Sequence, residues 1–225
     1  MGEYFSWVNV DKKEFLCPND FDLGNKCLES SWDDNHLLRA LRELLAAEWK
    51  GCRIVFLGDE CNAPENNTIE ILELIQKHSE EIDCSGNLYD TVAESYRNVS
   101  CQFKDAEADV RSEIGFYLQC LKDGGFIPPN EYRIDVNDPF NGLFQRKGKS
   151  FKYTINLTKN ICYSLDETTV LDHNGRNPQH YDPLPVLMSY GRRKVYGEWL
   201  GDIIAVSDDI PVGCTLLKEI KLEWP

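Results

Sequence analysis

The sequence has no apolar run approaching the roughly 20 residues that cross a bilayer, so no membrane partner is expected. Its start, Met1-Gly2-Glu3-Tyr4, carries neither a basic leader nor an apolar signal core, which predicts a cytoplasmic protein. Gly2 and Ser6 satisfy a lipidation pattern only formally, because six residues match such a pattern often by chance. Positive charge is scarce: 24 Lys and Arg against 38 Asp and Glu leave a net charge of −14. A surface this acidic repels phosphate backbones, so nucleic acid is not an expected partner. It either keeps the protein soluble or draws a basic protein partner through complementary fields.

Catalytic signatures are also missing. There is no phosphate loop of the G-x-x-x-x-G-K-[S/T] type, no dinucleotide fingerprint, no H-E-x-x-H and no G-x-S-x-G elbow. The four histidines, His36, His78, His173 and His180, stand apart from any cysteine or glutamate at ligand spacing. No cofactor is therefore expected and no metal ligands are assigned. Nine cysteines are many, but they are odd in number and lack the short spacings of zinc knuckles or redox motifs. Reduced thiols packed as small hydrophobes are expected. The sequons at Asn66, Asn98 and Asn156 are then coincidental, because glycosylation needs a secretory route.

What the chain does contain is a pair of similar ends. Tyr4 to Phe15 aligns with Phe151 to Cys162 at one constant offset, setting Asn9 on Asn156, Lys12 on Lys159, and Val8 and Val10 on Ile155 and Leu157. Glu48 to Asp59 aligns with Glu198 to Asp209 at a slightly larger offset. There Glu48, Trp49, Gly51, Ile54 and Asp59 meet identical residues. The pattern predicts a single domain over 1–225: repeat A at about 1–65, a helical insert at about 66–130, and repeat B at about 147–225. The fold class is α+β, with hairpin–helix–strand units forming a mixed or antiparallel sheet and the central helices packed over one side.

Locally, Tyr4 to Cys17 reads as a hairpin with Asn9 bonding backbone across the turn. A helix capped by Asp33 or Asp34 carries Leu37, Leu38, Leu41, Leu44, Leu45 and Trp49 on one face. Ile54 to Leu57 is a buried strand. Asn67 to Glu70 has capping-box spacing ahead of a helix, and helical segments follow over Leu88 to Arg97 and Asp105 to Lys122. Short strands are expected at Tyr132 to Val136, Ile203 to Val206 and Leu216 to Trp224. The helix of repeat B is broken by prolines, leaving only a short turn near Asp182 to Met188.

Three groups of residues are candidates for chemistry. Gly58-Asp59-Glu60 and Asp208-Asp209 end buried strands, where paired carboxylates bind a divalent cation or act as acid and base. The same residues serve equally as turn formers and caps. His173 and His180 flank Arg176 and Tyr181 in a loop with no counterpart in repeat A, where imidazole titrates near neutrality. Arg146-Lys147-Gly148-Lys149 and Arg192-Arg193-Lys194 are local basic clusters that either orient a partner or protect sheet edges.

The hairpin phrase Asn9-Val10-Asp11-Lys12-Lys13-Glu14-Phe15 and the strand phrase Trp49-Lys50-Gly51-Cys52-Arg53-Ile54-Val55 resemble phrases in small bacterial proteins of no assigned activity. The resemblance covers the two copied segments, not the central helices, and implies no catalytic residue. It departs in repeat B, where Asn160 and Ile161 replace the Lys13-Glu14 pair. The leading expectation is a non-enzymatic acidic binding protein, with an immunity or antitoxin-like role against a basic toxin as its narrow form. The alternatives are a Mg²⁺- or Mn²⁺-dependent hydrolase or transferase using Asp59 and Asp209, and a structural or regulatory subunit.

Overall fold

The computed structural model describes residues 2–62, 69–125, 131–172, 174–177, 180–192 and 196–222. Its strands are β1 (Phe5–Asn9), β2 (Glu14–Leu16), β3 (Ile54–Gly58), β4 (Arg97–Asn98), β5 (Tyr153–Asn156), β6 (Ile161–Tyr163), β7 (Thr169–Leu171), β8 (Ser189–Tyr190), β9 (Ile204–Ser207), β10 (Thr215–Leu216) and β11 (Glu219–Lys221). The helices are α1 (His36–Ala46), α2 (Glu70–Ile82), α3 (Leu88–Ser95), α4 (Glu107–Asp123) and the single turn α5 (Leu184–Leu187). The class is α+β, with mixed sheets of five and four strands ordered β4-β2-β1-β3-β8 and β10-β6-β5-β9, and a parallel pair β11-β7.

Both hairpins close through the same side-chain bond. The Lys12 N–H donates to Asn9 Oδ1 at 3.0 Å, and the Lys159 N–H donates to Asn156 Oδ1 at 3.0 Å. Each asparagine satisfies a turn amide, and the turn residues Lys13 and Asn160 both take φ +53°. The register then runs in parallel: Asn9 faces Glu14 on β2 and Ile54 on β3, while Asn156 faces Ile161 on β6 and Ile204 on β9. A fourth strand lies parallel outside each hairpin, with Arg97 beside Glu14 and Thr215 beside Ile161. Arg53 and Ile203, at matching positions, bridge each other antiparallel and join the two units.

Alternation along β1 and β3 sorts the core. Phe5, Trp7, Ile54 and Phe56 face one cluster with α1 and α4, while Val8, Val55 and Leu57 face another with α2 and α3. The insert helices therefore cover both faces of the five-stranded sheet rather than one side. Helix α1 forms because Leu37, Leu38, Leu41, Leu44 and Leu45 recur at helical spacing and are all buried. Each contributes roughly 1.5–3 kcal/mol of burial. Its cap is Asn35, whose Oδ1 accepts from the Leu38 N–H at 2.8 Å, and not Asp33 or Asp34. Asp34 is occupied by Arg39 and Ser150 instead.

The expected helix is also shorter at its end. The chain turns after Ala46, and Trp49 returns to the core with its N–H donating to the Leu44 carbonyl at 2.7 Å. Gly51 and Gly201 take φ +73° and +87°, the left-handed region that glycine enters freely. One expected strand does not form and another is split. Residues 131–137 are turn and coil, and the final strand is divided, with β10 in the four-stranded sheet and β11 beside β7. Asn67 and Thr68 of the expected capping box lie outside the described residues. A capping box is present one helix later, where Asn87 and Asp90 close α3 reciprocally.

Candidate functional site: an acidic cavity beside the first hairpin

The residues after β2 build the most chemically distinctive region. Pro18 starts a single 3-10 turn over Pro18–Phe21, pre-set by its fixed φ, and Asp22 ends it at φ +53°. The turn drives Asp20 inward until it is only 4% exposed. Its carboxylate accepts from Asn98 Nδ2 and the Tyr132 hydroxyl, both at 2.8 Å. Asn98 is placed by β4, and Ser100 is fixed by accepting the Cys17 N–H at 3.1 Å.

Asp20 forms part of the wall of a cavity of about 220 Å³. Its lining combines the apolar Phe15, Val92 and Ala93, and Tyr89 hydrogen-bonded to Ser6 at 3.2 Å, with the carboxylates of Asp20, Glu113 and Glu131. An open cleft of about 460 Å³ shares Asn19, Asp20 and Glu113 with the cavity and adds Asp22 and Asp109. No lysine or arginine lines either space among the described residues. Nor does any of these five carboxylates form a salt bridge with a described residue.

Uncompensated charge shows in the protonation equilibria. Burial pushes Asp20 up to about 6 against the donors that surround it. Burial, then the charges of Asp20 and Glu113, pushes Glu131 up to about 7. Desolvated carboxylates that repel one another are stabilised by an incoming cation. A lining that combines apolar residues with carboxylates suits a long side chain with an aliphatic stem and a charged head. Among the described residues no group of three His, Cys, Asp or Glu is placed to hold a metal ion.

The residues singled out from sequence behave differently. Asp59 is a strand-end clasp: the Tyr4 N–H donates to its Oδ1 at 2.9 Å while its own N–H donates to the Tyr4 carbonyl. Asp208 accepts from the Lys152 N–H, and the Asp209 N–H donates to Ser207 Oγ. Because Arg53 and Ile203 pair antiparallel, Asp59 and Asp209 lie six residues away in opposite directions. For straight strands at about 3.3 Å per residue they are on the order of 40 Å apart. They do not form a pair.

Glu60 binds Arg192, and Arg146 binds Glu43 at 2.7 Å while lying over the Phe103 ring. Arg146 and Arg192 are thus held in ion pairs while Lys147 and Lys149 stay exposed, and none of the four lies on a named strand. His173, Arg193 and Lys194 lie outside the described residues. His180 and Tyr181 do come together with other polar groups, at a second cavity taken up below. All nine cysteines are free, four buried and five partly buried.

Sequence reasoning missed Asp20, Glu113 and Glu131. The available signal was Pro18-Asn19-Asp20, a proline-initiated turn with an acid at its third position, but nothing local shows that acid turning inward. No protein-family model matches the chain, and no curated protein or solved structure shows significant similarity to it.

Proposed function

We propose that this chain is a non-enzymatic binding protein that recognises a basic protein partner, taking one lysine or arginine side chain into the cavity beside Asp20. The observation that supports this reading is a cavity lined by both apolar residues and carboxylates, with no lysine or arginine among its described lining residues. Its volume falls below the roughly 300–1,000 Å³ of ordinary small-molecule pockets, which favours a single side chain over a larger ligand. The wider charge of −14 adds long-range steering toward a basic surface. The narrow form of the proposal is an immunity or antitoxin-like protein that covers a basic toxin.

The test is affinity capture from the native host at low and at moderate salt, comparing the wild type with a Glu113→Gln/Glu131→Gln double variant. A basic protein retained by the wild type and lost from the variant supports the proposal. Equal recovery on both, or no basic protein on either, overturns it. A toxin-like reading frame beside the gene selects the narrow form. The metal-dependent alternative gains nothing from the geometry, since Asp59 and Asp209 belong to separate strand ends.

A further inference from the structure

A second cavity, of about 300 Å³, lies after β6, the strand that matches β2. Its lining includes Asp33, Asp166, Asn177, His180 and Tyr181 together with the apolar Leu165 and Val170. Trp32 stacks on Tyr181 with ring centroids 5.1 Å apart and planes inclined by 26°, yet remains 50% exposed. A half-exposed indole is an unusual surface feature, and a stacked pair holds it in a fixed orientation.

The mounting is rigid. Trp32 bridges Tyr181 antiparallel, with the Asp33 N–H donating to the His180 carbonyl at 2.8 Å and the Asp182 N–H to the Ser31 carbonyl at 2.7 Å. Asp182, fully buried, binds Arg42 and the Tyr163 hydroxyl. His180 takes φ +68°, a conformation that costs a non-glycine residue free energy and persists only where its surroundings impose it. Such strain recurs at ligand sites.

We infer that this cavity and the Trp32–Tyr181 platform bind a neutral carbohydrate. An indole face takes the C–H face of a sugar ring. Two carboxylates accept hydrogen bonds from vicinal hydroxyls, while an amide and an imidazole both donate and accept. The lining holds no lysine or arginine among the described residues, and the buried Arg42 is spent on Asp182. Anionic and phosphorylated sugars are therefore disfavoured. The lining is too polar for a purely apolar ligand. The site is independent of the Asp20 cavity and of the partner proposed there.

Maltotriose, cellotriose and chitotriose serve as probes at millimolar concentration, read through the indole N–H resonance of Trp32, assigned by its loss in Trp32→Ala. A short arginine-containing peptide is run in parallel. At least one sugar should shift the Trp32 resonance with an affinity that does not change with salt. Asp33→Asn should weaken that binding about tenfold, and Trp32→Ala should abolish binding as read on the remaining resonances. Both substitutions are at exposed positions, and unchanged amide spectra elsewhere verify the fold. No shift with any of the three sugars overturns the inference. So does a salt-sensitive shift with the arginine peptide alone, which assigns the platform to a basic protein surface.

Discussion

The two hairpin units repeat each other closely, down to individual backbone bonds, and part company where side chains meet charge. The Arg97 N–H donates to the Lys13 carbonyl and the Thr215 N–H to the Asn160 carbonyl; Val99 and Leu217 repeat this with Phe15 and Cys162. At the base of the third strand, the Arg53 N–H donates to Asp11 and the Ile203 N–H to Thr158. The asparagine amides differ. Asn156 Nδ2 donates to Asp202 at 2.7 Å, and Lys159 binds the same carboxylate at 2.8 Å. In the first unit Cys52 stands at the position of Asp202, and Asn9 Nδ2 is buried without a partner among the described residues. Backbone geometry is thus shared, while polar satisfaction is private to each unit.

The largest effect is expected where the units are tied together. Helix α1 supplies Arg42, and the segment after β7 supplies Asp182; both are buried. Removing one member of a buried pair strands the other charge, at a cost of about 3–5 kcal/mol. Asp182→Ala should therefore lower the denaturant midpoint far more than any change inside one unit. A loss under about 1 kcal/mol would show that Tyr163 and solvent rescue Arg42, and that the units hold together without this pair.

Next come reciprocal changes at the shared position. Asp202→Ala leaves the Asn156 amide buried and unpaired and should cost about 1–3 kcal/mol. Cys52→Asp has the opposite sign. It gives Asn9 Nδ2 an acceptor and Lys12 an anion, and should stabilise by about 1 kcal/mol, the net worth of one such bond. Chemical unfolding of both variants measures the pair. If Cys52→Asp destabilises, the equivalence of the two turns stops at the backbone.

These cases also show what the sequence made legible. Asn9 and Asn156 were readable because a strand residue with an amide, at the same place in both ends, has an obvious turn bond to make. The buried strand at Ile54 and the leucine stripe of α1 were readable because periodicity is local. The parallel fourth strands were not. Arg97-Asn98 and Thr215-Leu216 are two residues each and share no composition, and intervening chain of very different length delivers them to equivalent edges. Asp33 and Asp34 read as caps because acids favour helix starts, but Asn35 is nearer and completes the bond. The acidic cavity was invisible for the same reason as the fourth strands: Asp20, Glu113 and Glu131 converge from three distant segments. Both cavities begin directly after the second strand of a hairpin, where the two units cease to resemble each other.

The smallest expected effect separates the first unit's cavity from its scaffold by pH. Glu131 has its pKa raised from 4.5 to about 7 and Asp20 from 3.8 to about 6. Folded-state values above the unfolded ones mean the folded protein prefers these groups protonated. Their contribution is most favourable below about pH 4 and is lost as pH rises through about 6 and 7. Glu131→Gln should flatten that decline, gaining no more than about 1 kcal/mol at the alkaline end once solvent screening is allowed for. Thermal or denaturant unfolding across this window checks the slope. Binding of a cationic side chain favours the charged forms, so partner affinity should rise over the same interval in which intrinsic stability falls. Parallel rather than opposed trends would separate the cavity from partner recognition and leave the carboxylates as a feature of the fold alone.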